Sequence, residues 1–278
     1  MTAKKGKGKI ISKIIIGIAL VLSIYPVIWL ILSSFKTTQE FSLLPSYALP
    51  QGLYLDNYIS AWTSGNMGVY FKNSIICTIG SLILIVVVAL PASFALTKMK
   101  WKGKKFFNKY FMMGLMIPIQ VALIPIFQIY KNLNLLNSHI GLILVYTVFG
   151  LSMTILMFTG FFESFPNEML EAAVIDGCSI YGCLTKMVVP LMGNSIVTVL
   201  TLQFLTSWND LLFSQTLISE TAKKTVQTGL VMFSGAHGQV DWGPMFASMA
   251  IGVLPTLGLY LFLSKFMIQG MTAGAVKG

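Results

Sequence analysis

Glu171-Ala172-Ala173-Val174-Ile175-Asp176-Gly177 is the stretch around which this sequence is organised, and it continues to Val189-Pro190. It lies between two strongly apolar segments, yet charged side chains stand in and around it. These are Glu163, Glu168, Glu171, Asp176 and Lys186. Charges at this density exclude a membrane span, because each of them is costly inside a bilayer. The stretch is therefore a polar connection between two apolar segments.

Local signals in this connection predict two short helices separated by a turn. Pro166 suits a first helical turn, where a missing N–H does no harm, and Gly177 can end the helix in a left-handed conformation. Ser179 can cap the second helix. One apolar face of that helix would be formed by Ile180, Leu184, Met187 and Val188. Pro190 is expected to end it.

On pattern alone this helix pair has two interpretations. The small residues Ala172 and Ala173, placed between acids, would make a compact projection that docks in a groove of another protein. An ordinary amphipathic loop lying on the membrane surface would have the same pattern, because helix–turn–helix connections are common.

The spacing of the stretch resembles the EAA loop of ABC-importer permeases. In that loop Glu-Ala-Ala is followed by a Gly and, thirteen residues after the Gly, by a Pro, as at 171–190 here. Further matches are similar to the carbohydrate branch and to its maltose-type second permease subunit: Phe161-Phe162, Pro166, Ile175-Asp176-Gly177, Ser207-Trp208-Asn209 and residues 270–278. Val189 departs from the family, which usually has Leu before the last Pro. The resemblance covers essentially the whole chain.

The resemblance implies a type I ABC-importer permease, a transport subunit rather than an enzyme. Its coupling helix would sit in a cleft of a cytoplasmic ATPase. Glu171 and Asp176 would make polar contacts, Ala172 and Ala173 the close-packed surface, and Gly177 the turn, with Pro190 ending the motif. Residues Thr272, Gly274 and Lys277 of the tail would also contact the ATPase, although a frayed terminus is the ordinary alternative.

The same resemblance implies the partners. They are a homologous second permease of the maltose-type first-subunit kind, an ATPase homodimer and an extracytoplasmic solute-binding protein. ATP and Mg would be used by the ATPase, and this chain would bind no cofactor of its own. The solute would be a sugar or oligosaccharide; a polyol or a glycerol phosphate ester is the alternative within the family.

Composition independently indicates a polytopic membrane protein. Of the 278 residues, 55% are hydrophobic and only 10% are charged, against roughly 25% charged in soluble domains. The net charge of +10 does not indicate a nucleic-acid partner, because the lysines cluster at the ends of apolar runs, where they set topology. All 19 basic residues are Lys, so no Arg fork is present for bidentate recognition of phosphate.

Apolar runs predict an all-α chain of six membrane spans. Their bounds are about 14–32, 73–96, 110–130, 140–162, 191–208 and 244–266. They form one permease domain, 14–268, which includes the coupling loop 163–190. A basic N-terminus, 1–13, precedes the domain and a tail, 269–278, follows it. Pro118 and Pro125 predict a kink in the third span.

The distribution of lysines predicts the topology. Fourteen lie on the side assigned to the termini and the 163–190 loop, and five lie on the other side. The positive-inside rule then places both termini and the loop in the cytoplasm. The predicted location is the bacterial cell membrane, with the bilayer as a partner.

Several absences bear on the energy source. No Asp, Glu, Lys or His lies near the middle of a predicted span, where ion-coupled carriers usually hold a coupling charge. The sequence has no P-loop, and Cys77, Cys178, Cys183 and the two histidines fit no disulfide or metal spacing. A passive conduit driven by a separate ATPase fits these absences. An ion-coupled secondary carrier and a membrane enzyme or scaffold remain the alternatives from other classes.

Uncharged polar residues in the fifth span could line a solute pathway. Asn194, Thr198 and Thr201 share one face, and Gln203, Thr206 and Ser207 lie on a roughly opposite one. Hydroxyls and amides suit a neutral, hydroxyl-rich solute, but they also serve as hydrogen bonds between helices. Gln203 and Asn209 are the candidates for the pathway.

Overall fold

Helices account for nearly all regular structure in a computed structural model that describes the backbone of residues 3–231 and 240–275 and the side chains of residues 12–231 and 240–264. The first group of helices is α1 Ala3–Ser33, α2 Thr38–Leu43, α3 Asp56–Trp62, α4 Met67–Lys98, α5 Lys104–Gly114, α6 Ile119–Asn132 and α7 His139–Ser164. The second group is α8 Asn167–Ile175, α9 Ile180–Leu191, α10 Gly193–Trp208, α11 Leu212–Leu217, α12 Val226–Val231 and α13 Trp242–Ala275. This architecture confirms the predicted all-α fold.

Four of the described helical segments are long and apolar enough to cross a bilayer: Ser12–Ser33, Met67–Lys98, His139–Ser164 and Trp242–Ser264. Two bent pairs raise the total to six if each pair is one span. The pair α5 and α6 is bent by 99°, and the pair α9 and α10 by 81°. The predicted third span, 110–130, therefore covers the end of α5, the bend and most of α6. Pro118 stands at that bend and precedes the first residue of α6.

The chain divides into two compact units, residues 1–68 with 230–254 and residues 69–229 with 255–278. In the first unit, the connection after α1 folds back onto the last turns of that helix. The Trp29 indole N–H donates to the Ser46 carbonyl at 2.9 Å, and Phe41 stacks on Phe246 at 5.3 Å between ring centroids. The Asn57 amide donates to the carbonyls of Ser34 and Lys36. These bonds fix a segment that lies between the first two predicted spans.

Glu40 is the acid that holds this connection together. Its carboxylate accepts the backbone N–H of Gln51 at 2.6 Å and that of Thr37 at 2.7 Å, and Thr37 in turn caps α2, so the two residues form a capping box. The N–H groups of Gln51 and then of Thr37 hold the pKa of the Glu40 carboxyl below its ordinary value, because they stabilise its charged form.

Since the folded-state pKa of Glu40 is lowered, its stabilising contribution is present above the ordinary glutamate pKa of about 4.3 and is lost as the pH falls through the folded-state pKa. We expect Glu40→Gln to lower stability by about 1 kcal/mol at pH 7 and by less in acid. Thermal unfolding of the detergent-solubilised wild-type and variant proteins, at pH 7 and at a pH below the folded-state pKa of Glu40, measures this difference. An equal loss of stability at the two pH values would contradict a role for the charge.

The second unit has a core that joins α4, α7, α9 and α10. Its buried side chains include Ile85, Phe94, Ile155, Phe158, Phe162, Leu184, Val188 and Val199. Phe94 and Phe162 meet edge to face, with ring centroids 6.0 Å apart. Gly141 on α7 allows the backbone of Leu135 to approach that helix closely, because a Cβ at position 141 would lie 2.4 Å from the Leu135 carbonyl oxygen. This core carries the polar connection between α7 and α10.

Candidate functional site

Residues 167–191, which comprise α8, α9 and the turn between them, project from the core of the second unit. We call them the knob. Pro166 immediately precedes α8 with φ −61° and ψ 130°, so it stands at the boundary of the helix rather than inside its first turn. Glu168 lies in that first turn, where the positive end of the helix dipole stabilises an acid.

The turn after α8 is a Schellman motif at Gly177, which confirms the predicted left-handed end. Gly177 has φ +84°. The N–H of Gly177 donates to the Val174 carbonyl at 3.0 Å, and that of Cys178 to the Ala173 carbonyl at 2.9 Å. Both bonds satisfy carbonyls that the helix end leaves free. A Cβ on Gly177 would meet no atom within 4 Å, so the backbone angle, and not a lack of space, favours glycine here.

Ser179 caps α9 as predicted, its hydroxyl oxygen accepting the Gly182 N–H at 3.1 Å. The rest of α9 differs from the prediction, because Cys183–Val188 is a π-helical segment. There the Val189 N–H reaches the Leu184 carbonyl, five residues back. Pro190 lies one residue before the end of α9 and has no N–H to offer to a regular α-helical ladder. Wider i→i+5 turns of this kind are frequent at functional sites.

The outward surface of the knob combines acids, small residues and exposed apolar side chains. Glu171, Ala172 and Asp176 are exposed, and Ala173 is half-buried. Ile175 is 85% exposed, and Tyr181 is 77% exposed. These two side chains leave apolar area open on the knob, beside its small residues. The structure thus brings Glu171, Ala172, Ala173, Asp176 and Gly177 onto one projection, and it adds Ile175 and Tyr181 to them.

The inner side of the knob is fixed to the core in two ways. Leu184 and Val188 are buried beside Phe94 and Phe162. The Lys98 ammonium, at the last residue of α4, donates to the Phe165 carbonyl at 2.6 Å and to Asn167 Oδ1 at 2.7 Å. The first attachment follows from the predicted apolar face of α9. The second joins residues 67 or more positions apart, and no local pattern indicates it.

A second candidate site is a cavity of about 430 Å³ beside α7 and α10. Its polar lining consists of Tyr146, Thr154, Gln203, Thr206, Ser207 and Asp210, and its aromatic lining includes Phe149 and Phe213. Gln203 therefore lines a cavity, as its position in the fifth span suggests. Its amide donates to Ser207 Oγ at 3.3 Å and lies directly against Gly150 of α7.

Asn209 is placed differently from Gln203. Its side-chain amide donates to the Leu205 carbonyl at 2.9 Å, and its oxygen accepts from Gln227 at 3.4 Å. Asn209 is exposed and is not among the residues that line the cavity. The hydroxyls of Thr198 and Thr201 donate to carbonyls four residues earlier in α10. Of the two predicted pathway residues, only Gln203 faces this cavity.

Asp210 and Tyr146 belong to the cavity and are absent from the sequence-based candidates. The Tyr146 hydroxyl donates to Asp210 Oδ2 at 2.9 Å, and the carboxylate also accepts the N–H groups of Phe213 and Ser214. Burial raises the pKa of Asp210 from its ordinary value, and these hydrogen bonds oppose the rise. The spacing of Asp210 to residues 213 and 214 is a capping signal, but nothing local reveals Tyr146.

The tail residues of the predicted site are only partly within the described structure. Thr272 and Gly274 lie in the backbone of the last turns of α13, and their side chains are outside the described part. Lys277 lies outside the described residues altogether. Their proposed contact with an ATPase stays a prediction.

Comparison with known proteins identifies the family. Residues 85–271 match the sequence model of the family described as binding-protein-dependent transport system inner membrane component. The chain is 33% identical to the probable ABC transporter permease protein YurM of Bacillus subtilis, over 91% of this chain and 84% of that protein. It is 32% identical to the sulfoquinovosyl glycerol transport system permease protein SmoH of Agrobacterium fabrum, over 98% and 95%.

Two further matches extend the comparison. The trehalose/maltose transport system permease protein MalG of Thermococcus litoralis is 29% identical, over 95% of this chain and 96% of that one. A solved structure of a bacterial ABC transporter involved in the import of the acidic polysaccharide alginate superimposes with a TM-score of 0.82. The superposition covers 95% of this chain and 98% of the solved chain at 18% identity. The two chains therefore share a fold. Because the family model spans most of the sequence and relatives above 30% identity cover nearly all of it, the chain belongs to the binding-protein-dependent transport system inner membrane components.

Proposed function

We propose that this membrane permease subunit imports a sugar or oligosaccharide, driven by ATP hydrolysis in a separate subunit. The observation that carries the proposal is the knob, with its exposed acids, its two alanines and its Schellman turn. Relatives named for sulfoquinovosyl glycerol and trehalose/maltose transport support the solute class. The full assembly would contain a homologous second permease, two ATPase copies and an extracytoplasmic solute-binding protein.

In this proposal the knob is the contact with the ATPase. Glu171 and Asp176 present charge to basic groups of that partner, and Ala172 and Ala173 allow its surface to approach closely. Ile175 and Tyr181 supply apolar area, 85% and 77% exposed in this chain, that the contact would bury. Closure of the ATPase dimer would then displace the knob and, with it, the helices it is attached to. The lysine distribution supports a cytoplasmic location for the knob and both termini.

The cavity beside α7 and α10 is the proposed part of the solute pathway in this chain. Its amide, hydroxyl and carboxylate groups can exchange hydrogen bonds with sugar hydroxyls, and its aromatic rings can pack on the apolar faces of a sugar ring. Gln203, which lines the cavity, would contact the solute directly. Asn209 would act outside this cavity, at the end of α10.

The experiment is uptake by proteoliposomes that contain the complete transporter, with a panel of radiolabelled di- and oligosaccharides presented with the binding protein. We expect uptake only when ATP is on the knob side, unchanged by ionophores that collapse proton and sodium gradients. Uptake that needs no ATP and stops with the ionophores would instead indicate an ion-coupled carrier. Labelling of a cysteine introduced at Glu171 from the outer face of intact cells would contradict the topology.

A further inference from the structure

Lys98 joins three segments of the chain through one ammonium group. It is the last residue of α4. Its Nζ donates to the Phe165 carbonyl, just past the end of α7, at 2.6 Å, and to Asn167 Oδ1, on the first residue of α8, at 2.7 Å. Both distances are as short as those of strong charge-assisted hydrogen bonds. The carboxylates of Glu163 and Glu168 attract the same ammonium.

The link from α7 to the knob is otherwise a short extended connection. Phe165 has φ −74° and ψ 128°, and Pro166 has φ −61° and ψ 130°. Pro166 offers no N–H, so it cannot help to fix the angle between α7 and α8 by a backbone bond. The Phe165 carbonyl lies between two helices, and the ammonium of Lys98 is its partner. Lys98 therefore acts at the point where the chain could bend.

Apolar packing alone does not fix the direction of a displacement. Leu170 of α8 packs against the buried cluster that contains Phe94 and Phe162. Apolar surfaces, however, can slide over each other with little change in buried area. Hydrogen bonds to a charged group have narrow preferences in distance and angle. The Lys98 bonds consequently tie the start of α8 to the ends of α4 and α7.

We propose that Lys98 is a positioning residue that transmits movement of the knob to α4 and α7, so that the movement is not absorbed at Phe165-Pro166. This rests on the proposed function, in which the ATPase displaces the knob. Without Lys98, the knob would still dock on the ATPase through its outward surface, but the two spans would follow it less closely. ATP would then be hydrolysed without a matching amount of solute being transported.

The test uses the complete transporter in proteoliposomes and compares transport with ATP hydrolysis in the same preparation. Lys98→Met keeps an unbranched apolar side chain of nearly the same length and removes the ammonium donors. We expect it to retain hydrolysis within about two-fold and to lower solute transported per ATP by about ten-fold, because both charge-assisted hydrogen bonds are lost. Lys98→Arg restores donors and charge and should recover most of the ratio. Lys100→Met, an exposed neighbour, controls for loss of positive charge and should leave the ratio unchanged.

A structural readout keeps the proposal falsifiable where transport by the variant is too low to measure. Spin labels at Lys100 and Met169, in a background with the three cysteines replaced, report the distance from the end of α4 to α8. Lys98→Met should broaden that distance distribution, and Lys98→Arg should keep it narrow. A Met variant with a wild-type ratio or an unbroadened distribution overturns the proposal. Wild-type complex without ATP-dependent uptake would instead overturn the proposed function.

Discussion

Gly177→Pro should abolish solute uptake while the permease still reaches the membrane. Proline fixes φ near −65°, whereas Gly177 has φ +84°. The substitution also removes the N–H that bonds the Val174 carbonyl at 3.0 Å. In addition, proline disfavours the near-helical conformation of the preceding Asp176. Together these effects cost about 3 kcal/mol or more at the turn, enough to unwind the Schellman motif and to separate α8 from α9.

Matched substitutions at the same position distinguish backbone strain from loss of space. A Cβ at Gly177 has no neighbour within 4 Å, so the first atom of a side chain meets no steric barrier there. Asn tolerates left-handed angles, and Gly177→Asn should keep most of the uptake. Gly177→Ala should be intermediate, with a cost of about 1 kcal/mol. Uptake rates normalised to membrane abundance measure the series, and normal uptake by the Pro variant would remove the knob from coupling.

Charge reversal at Glu171 tests the outward surface rather than the turn. Glu171 is exposed, so Glu171→Lys should leave thermal stability nearly unchanged. It should still abolish uptake, because it places a cation where the proposed ATPase contact needs an acid. Co-purification of the ATPase with the variant measures that contact directly. Undiminished co-purification would show that Glu171 is not part of it.

The knob was predictable because its determinants are local. The glycine with φ +84° and the serine cap each lie four or fewer residues from a group that they bond. Glycine and serine signals at such short spacing can be recognised in any short window of sequence. The all-α architecture was equally accessible, since soluble domains rarely contain apolar runs long enough to span a bilayer. Both features depend on backbone conformation and hydrophobicity rather than on tertiary packing.

Other features depend on residues far apart in the chain. Tyr146 and Asp210 meet across 64 positions, and Lys98 meets Phe165 across 67. No pattern in one sequence reveals such pairs. The π-helical segment Cys183–Val188 was also missed, because Pro190 and an apolar face that holds Leu184 and Val188 are equally compatible with a regular α-helix.

Gly150→Ala should destabilise the second unit and impair transport more than the same change at Gly160 of α7. A Cβ at position 150 would lie 2.5 Å from Nε2, 2.7 Å from Cδ and 2.8 Å from Oε1 of Gln203. All three distances are shorter than packed atoms tolerate, and Gln203 is only 7% exposed. The amide must leave its place, which breaks its bond to Ser207. Because these atoms are the far end of a flexible side chain that lines a cavity, the amide can turn away, and we expect a cost of about 1 kcal/mol, chiefly from the lost hydrogen bond.

Gly160→Ala is the control on the same helix. No atom lies within 4 Å of a Cβ built there, and alanine is favoured over glycine in a helix by about 0.5–1 kcal/mol. We therefore expect Gly160→Ala to be neutral or slightly stabilising in thermal unfolding of the purified complex. Equal melting temperatures for the two alanine variants would contradict the close approach of α7 and α10.

The double variant Gly150→Ala/Gln203→Ala separates packing from solute contact. Removing the amide makes room for the new methyl group, so the double variant should be more stable than the sum of the two single effects allows. If Gln203 contacts the solute, uptake should remain low in the double variant although stability recovers, and KM should rise in Gln203→Ala alone. Recovery of both stability and uptake would assign Gln203 to helix packing and remove it from the pathway.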